Sequence, residues 1–174
     1  LAVGNSENNV VTTSQMEVEG GQPKRTRRVR EEKPPLFGKS LELEVGVINN
    51  FYRDIEWLDV LWKKRSTGND KGVTLPYIIR LSLRLLCEAA SKSILGDSDK
   101  EQDYINKFFD KAKKLLTKEE STKLHNLSVQ KETLWGLLNA GAHYYTMSPD
   151  SYAQTEAIAL ILGAILSVSH GKKK

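Results

Sequence analysis

Residues 157 to 168, AIALILGAILSV, are apolar on nearly every side of a helix between Ile158 and Leu166. A helix with a polar stripe can lie on a surface, whereas one without it has to be enclosed. The run is about a dozen residues long, short of the roughly 20 that cross a bilayer. The rest of the chain must therefore wrap it, either as the centre of a bundle or together with a second copy at a dimer interface. The chain has 174 residues, and about 135 to 140 of them read as foldable, ample for one helical core.

The remaining segments supply the wrapping. After Pro35, the alternation Leu41, Leu43, Val45 changes to the helical spacing of Ile48, Phe51, Ile55, Leu58, Trp62. This predicts a short strand or extended arm leading into a helix over about 47–64. The cluster Gly68-Asn69-Asp70 carries turn chemistry. Thr74 is placed to cap a second helix with Pro76 in its first turn, Ile79, Leu83, Leu86, Ala90 and Ile94 on its inner face, and Gly96 as its stop. A third helix over about 100–116 turns Tyr104, Ile105, Phe108, Ala112, Leu115 and Leu116 inward. The sequence TKEE from Thr117 is a capping box for a short helix to about His125. Ser128 is the expected cap of a fifth helix with Leu134, Leu137, Leu138 and Ala142 on its core face. Ser148-Pro149-Asp150 opens the last helix, which runs to about Ser169. A link of about three residues between these last two predicts an antiparallel hairpin. The fold class is all-α, a bundle of five or six helices over 36–174.

Residues 1 to 23 have no sustained period and cannot offset the entropy of ordering, so a disordered tail is expected. Lys24, Arg25, Arg27, Arg28, Arg30 and Lys33 follow in one short run before Pro34-Pro35. An extended linker of this charge can neutralise nucleic-acid phosphates, or it can remain a solvated spacer. No aromatic residue interleaves it, which argues against a base-stacking platform. Lys172, Lys173 and Lys174 read as a solubilising terminus.

Several chemistries are excluded or weak. Cys87 is the single cysteine, so an intramolecular disulfide and a multi-cysteine metal site are ruled out, and it reads as an ordinary buried thiol. His125, His143 and His170 lack ligand spacing, and neither a Gly-rich phosphate loop nor a serine nucleophile elbow is present. Neither a metal nor a cofactor is expected. Polar residues 5 to 9 interrupt any signal-like start, so an intracellular, cytoplasmic protein without a membrane span is expected. The sequence opens on Leu1 rather than Met, which keeps an upstream domain in view.

Arg80 and Arg84 on the second helix are the phosphate-binding candidates outside the linker. With Glu88 they also fit a ladder of i, i+4 ion pairs. Asn139 and His143 stand one turn apart on the fifth helix. The segments RLSLRLLCEAA, LLNAGAHYY and SPDSYAQTEAIALILGAIL together resemble the HEPN helical domains over about 75–169. They resemble especially the divergent ones appended to ParB-like nuclease domains in prokaryotic DNA-associated and defence proteins. The resemblance implies an Arg, a polar residue, a few spacers and a His, with two such helices meeting in a homodimer. Here Asn139 and His143 match the polar and histidine positions, and Leu138 stands where the Arg is expected.

An apolar residue at that place cannot stabilise charge on a scissile phosphate, so a non-catalytic accessory or dimerisation module of a nucleic-acid-acting protein is the first expectation. A metal-independent endoribonuclease acting through Asn139 and His143 is the alternative, and an adaptor binding protein through the Trp57 and Trp62 helix is a third. His143 itself reads first as a structural hydrogen-bonding residue.

Overall fold

The structure is a computed structural model that describes residues 34–65, 74–97, 99–143 and 150–173, without the side chains of 141–143 and 150–151. The body, Lys33–Lys174, is all-α. Its six helices are α1 (Val47–Arg65), α2 (Leu75–Leu95), α3 (Glu101–Lys113), α4 (Lys118–Asn126), α5 (Leu134–His143) and α6 (Asp150–Ser169). Among the described residues there is no strand, and Leu43 and Gly171 form one isolated antiparallel bridge.

The apolar run lies at the centre. Every side chain from Ala157 to Leu166 is buried, with α2, α3, α4 and the segment before α1 as its covers. By length and composition Tyr152–Ser169 would suffice to cross a membrane, but its apolar surface is already enclosed by protein. The enclosure also removes the argument that α6 needs a second copy to hide it.

The arm before α1 is part of the core rather than a strand. Leu36, Phe37, Leu41 and Leu43 are all buried. Glu56 on α1 holds the start of the arm, its two carboxylate oxygens accepting the N–H groups of Leu36 and Phe37 at 3.1 Å each. Tyr52 accepts the N–H of Leu41 at 3.0 Å, and its ring meets Phe37 edge to face at 5.1 Å. Gly38 has φ +78, and a Cβ there would come within 2.5 Å of Leu160 Cδ1, so only glycine allows this close approach to α6.

Several local signals act as expected. Gly96 takes the left-handed conformation, φ 75, and its N–H closes α2 on the Lys92 carbonyl at 2.9 Å. Thr117 and Glu120 form both bonds of the capping box. Thr74 occupies the N-cap of α2 without a side-chain cap bond.

Others differ for physical reasons. Phe109 joins the inner face of α3 as a buried residue, with Phe108 partly buried against the same core, and Leu115, beyond the helix end at Lys113, is 50% exposed. Ile94, in the last turn of α2, is likewise exposed. Ser128 does not cap α5. It ends α4 in the left-handed conformation, φ 57, where its N–H bonds the His125 carbonyl and the next N–H, of Val129, bonds that of Leu124. Among the described residues α5 packs on α2 and α3, not along α6 as a tight hairpin. The link of about three residues expected between them falls within 144–149, which lie outside the described residues. Ser148 and Pro149 lie outside the described residues.

Candidate functional site

Arg80 leaves the exposed ladder anticipated for it and turns inward. Its side chain is 3% exposed. Nη2 donates to the Leu137 carbonyl at 2.9 Å and to Gln154 Oε1 at 3.2 Å, while Nη1 donates to Thr155 Oγ1 at 3.2 Å. One planar guanidinium thus joins α2, α5 and α6, a task suited to its rigid fork of donors. Burial lowers its pKa to about 10, so the cation persists at neutral pH. A phosphate could reach it only by displacing these acceptors.

Arg84 does form the expected i, i+4 pair. Its Nε and Nη2 lie 3.0 and 2.9 Å from Glu88 Oε1, and its guanidinium stands 5.9 Å from the centre of the Trp135 ring. A pair this accessible contributes a few tenths of a kcal/mol. Arg80 is thus enclosed, which corrects its place in an exposed ladder, whereas Arg84 stays partly exposed in its pair with Glu88.

Leu138 is fully buried, so the position where the HEPN resemblance wants a cation belongs to the core. Asn139 beside it is half-buried. The His143 side chain lies outside the described residues, as do Lys24, Arg25, Arg27, Arg28, Arg30 and Lys33. Trp57 and Trp62 do not present a common surface. Trp57 is 64% exposed, whereas Trp62 packs against Tyr152 with ring centres 3.8 Å apart and planes tilted by 41°. Cys87 is buried, and that burial pushes its thiol far above the ordinary range.

Three polar constellations were not singled out from the sequence. In the first, buried Asp59 accepts from Tyr152 and pairs with Lys63 at 2.7 Å, which fastens the start of α6 to α1. Burial first, and then the Asp59 bond, push the Tyr152 phenol up and keep it neutral.

The second is a clasp at His170, just past α6. Nε2 lies 2.7 Å from Ser93 Oγ and Nδ1 2.8 Å from Ser169 Oγ, which in turn lies 2.7 Å from the Tyr104 hydroxyl. Each serine hydroxyl also has a main-chain acceptor, Ser169 Oγ donating to the Ile165 carbonyl at 2.9 Å and Ser93 Oγ to the Ala90 carbonyl at 2.8 Å, so both can accept from the ring nitrogens beside them. The His170 carbonyl accepts the Glu44 N–H at 2.9 Å, and the Lys172 N–H donates to the Glu42 carbonyl at 3.0 Å. The ends of α2 and α6, helix α3 and the arm therefore meet at this residue.

Burial lowers the His170 pKa, with Glu44 pulling the other way. A depressed value means that the fold favours the neutral ring. Its contribution is present in full above the unfolded value of about 6.5 and is lost as pH falls through the lower folded value. Urea unfolding at pH 7 and pH 5 should therefore show a smaller acid loss in His170→Gln than in the wild type. Glu56, whose pKa burial raises despite its two backbone donors, has the opposite sign, but it is common to both proteins and cancels in the comparison. Equal losses in the two proteins would remove His170 from the acid response.

The third is a crevice of about 350 Å³ between α3, α4 and the turn at 129–132. Phe109, Leu124 and Val129 supply buried apolar surface to it, while Lys113, Lys131 and His125 supply polar groups. The nearest sequence signal is the run of Lys111, Lys113 and Lys114 after Asp110, which fits an ordinary solvated helix face equally well. Among the described residues no group of three His, Cys, Asp or Glu side chains is placed to hold a metal.

Comparison of the chain with family models, with curated proteins and with solved structures finds no match.

Proposed function

We propose that this chain is a non-catalytic helical accessory module of an intracellular nucleic-acid-acting protein, similar in role to the HEPN-like domain that follows a ParB-like nuclease. In this reading it contacts nucleic acid through its basic linker. The observation that carries it is the internal engagement of Arg80 and Arg84, which leaves Lys24, Arg25, Arg27, Arg28, Arg30 and Lys33 as the densest run of candidate cations. Contacts of this kind neutralise phosphates without reading bases.

Labelled oligonucleotides should bind with little sequence preference, and raising salt from about 50 to 200 mM should weaken binding by about a hundredfold if four phosphates are neutralised. Replacing the six cations with Gln should abolish that dependence. Unchanged affinity in that variant would reduce the linker to a spacer.

The alternative is a metal-independent endoribonuclease using Asn139 and His143. Core burial of Leu138 supports the module reading against it, because no cation stands at that position. Wild-type protein should show no RNA cleavage above background, with or without metal. Robust cleavage that disappears in a normally stable His143→Ala variant would overturn the module reading, and activity gained only in Leu138→Arg would show a site that lacks nothing but its cation.

Self-association is part of the module reading, with a second copy pairing on the outer face of α2. Ile78, Leu81 and Leu85 are 45%, 41% and 43% exposed and follow the i, i+3, i+7 spacing of a coiled-coil seam. Antiparallel pairing about Leu81 sets Ile78 of each copy against Leu85 of the other, which makes the stripe self-complementary. Sedimentation at micromolar concentration should show a dimer that Leu81→Glu dissociates without lowering thermal stability. A monomeric wild type would remove this part of the proposal.

A further inference from the structure

We infer that the outward face of α1 is a stacking platform for single-stranded nucleic acid, with the Trp57 indole taking a base and Arg53 and Lys64 taking phosphates on either side of it. This rests on the nucleic-acid reading and adds the one contact that the linker, which holds no aromatic residue, cannot make.

Helical spacing assembles the face. Arg53, Trp57, Val60 and Lys64 are all exposed and follow i, i+4, i+7 and i+11, so they form one stripe along α1. The rise of the helix sets Arg53 about 6 Å before the indole and Lys64 about 10 Å after it. Trp62 packs against Tyr152, and Trp135 lies beside the Arg84 guanidinium. Trp57 differs from both: it is 64% exposed, and among the described residues neither a ring nor a cation is stacked on it.

Charge gives the ligand its sign. The exposed charged residues of α1 are Arg53, Lys64 and Arg65 against Asp54 alone, an excess of two positive charges. Asp54 stands about a quarter-turn away from the stripe. The other carboxylates of the helix are committed inward. Glu56 accepts the N–H groups of Leu36 and Phe37, and buried Asp59 accepts from Tyr152 and pairs with Lys63. Lys63 Nζ also donates to the Pro34 carbonyl at 3.1 Å, so the segment that carries the linker cations joins the body at the same end of α1 as Lys64 and Arg65.

An open aromatic face between two cations suits this ligand better than a protein. Every base has a π-face, so stacking on Trp57 tolerates any sequence, whereas a duplex keeps those faces against one another. The centre of a protein interface is depleted of charge, but Val60 is the only other apolar residue of the stripe.

The test uses the full chain with labelled oligothymidine and oligouridine of about a dozen nucleotides and a duplex of the same length, within the span of single-strand sites. Trp57→Ala should weaken both single strands at least fivefold, as the loss of one stacked base does, and leave duplex binding and urea unfolding unchanged. Trp57→Phe should recover most of the loss. Oligothymidine should quench tryptophan fluorescence in the wild type and not in Trp57→Phe. Arg53→Gln combined with Lys64→Gln should weaken the single strands severalfold. A tenfold preference between the two strands assigns the platform to DNA or to RNA, and equal binding assigns it to both.

Replacing the six linker cations with Gln separates this inference from the linker reading. Unchanged affinity in that variant, with the Trp57→Ala loss intact, removes the linker reading alone. A Trp57→Ala variant that binds single strands as tightly as the wild type, or that loses duplex binding to the same degree, overturns the inference whatever the linker does. Dissociation of a dimer by Trp57→Ala would also overturn it, by giving the face to a second copy, and absence of binding to all three ligands would overturn both readings.

Discussion

Arg80→Ala should lower the unfolding free energy by about 3–4 kcal/mol, the range expected when a buried charged hydrogen-bonding group is removed and its partners stay behind. The Leu137 carbonyl, Gln154 Oε1 and Thr155 Oγ1 would each lose a donor from a side chain that is 3% exposed. Arg80→Lys should rescue little, because one ammonium on a flexible stem cannot reproduce the fork that spans three helices. Arg84→Ala, one turn along α2, should cost no more than about 0.5 kcal/mol beyond its lost packing, since its Glu88 pair is partly exposed. Urea unfolding of the three variants checks the contrast. Similar losses for Arg80→Ala and Arg84→Ala would mean that Arg80 is not the tie between α2, α5 and α6.

Phe37→Ala should cost a comparable amount, about 3–5 kcal/mol, as large-to-small changes at filled core positions do. Phe37 is 2% exposed and its ring lies against Gly163 in the middle of α6, where a Cβ would come within 3.0 Å of it. This contact reverses an ordinary expectation. Gly→Ala inside a helix normally gains up to about 1 kcal/mol, but Gly163→Ala alone should destabilise, because the aromatic ring would have to move. In the Phe37→Ala background the cost should shrink, because the ring atoms are gone, while the Cβ of residue 37, also 3.0 Å from the added methyl, remains. Unfolding measurements on the two single variants and the double variant give the coupling directly. If Gly163→Ala stabilises equally in both backgrounds, the arm does not pack on α6 in this way, and its role as the lid of the core is wrong.

The candidate sites were legible to very different degrees. Arg80 and Arg84 have the same side chain, one helical turn apart, and spacing alone put both on one stripe. The difference lies in the neighbours: on the helix the Arg80 side lies nearer the inner face, and Thr155 and Gln154 come from a helix more than 70 residues away. Leu138 was legible as a departure from the ribonuclease pattern, and its burial adds why a cation would be hard to place there. The His170 clasp had no local signal, because Ser93, Tyr104 and His170 share no spacing. They become neighbours only where α2, α3 and α6 end together.

What the sequence determined by itself was whatever depends on adjacent residues: the helical periods, the capping box at Thr117, the glycine stop at Gly96 and the demand that residues 157–166 be enclosed. These are set within one or two turns by backbone sterics, hydrogen bonding and the exclusion of apolar surface from water. The tertiary structure alone decided which groups do the enclosing and which polar side chains meet. The arm covers Gly163, Arg80 turns inward, and the turn after α4 closes a crevice against α3. Those outcomes follow from packing between segments far apart in the chain, where steric fit and the pairing of buried polar groups choose among arrangements that local periodicity leaves equal.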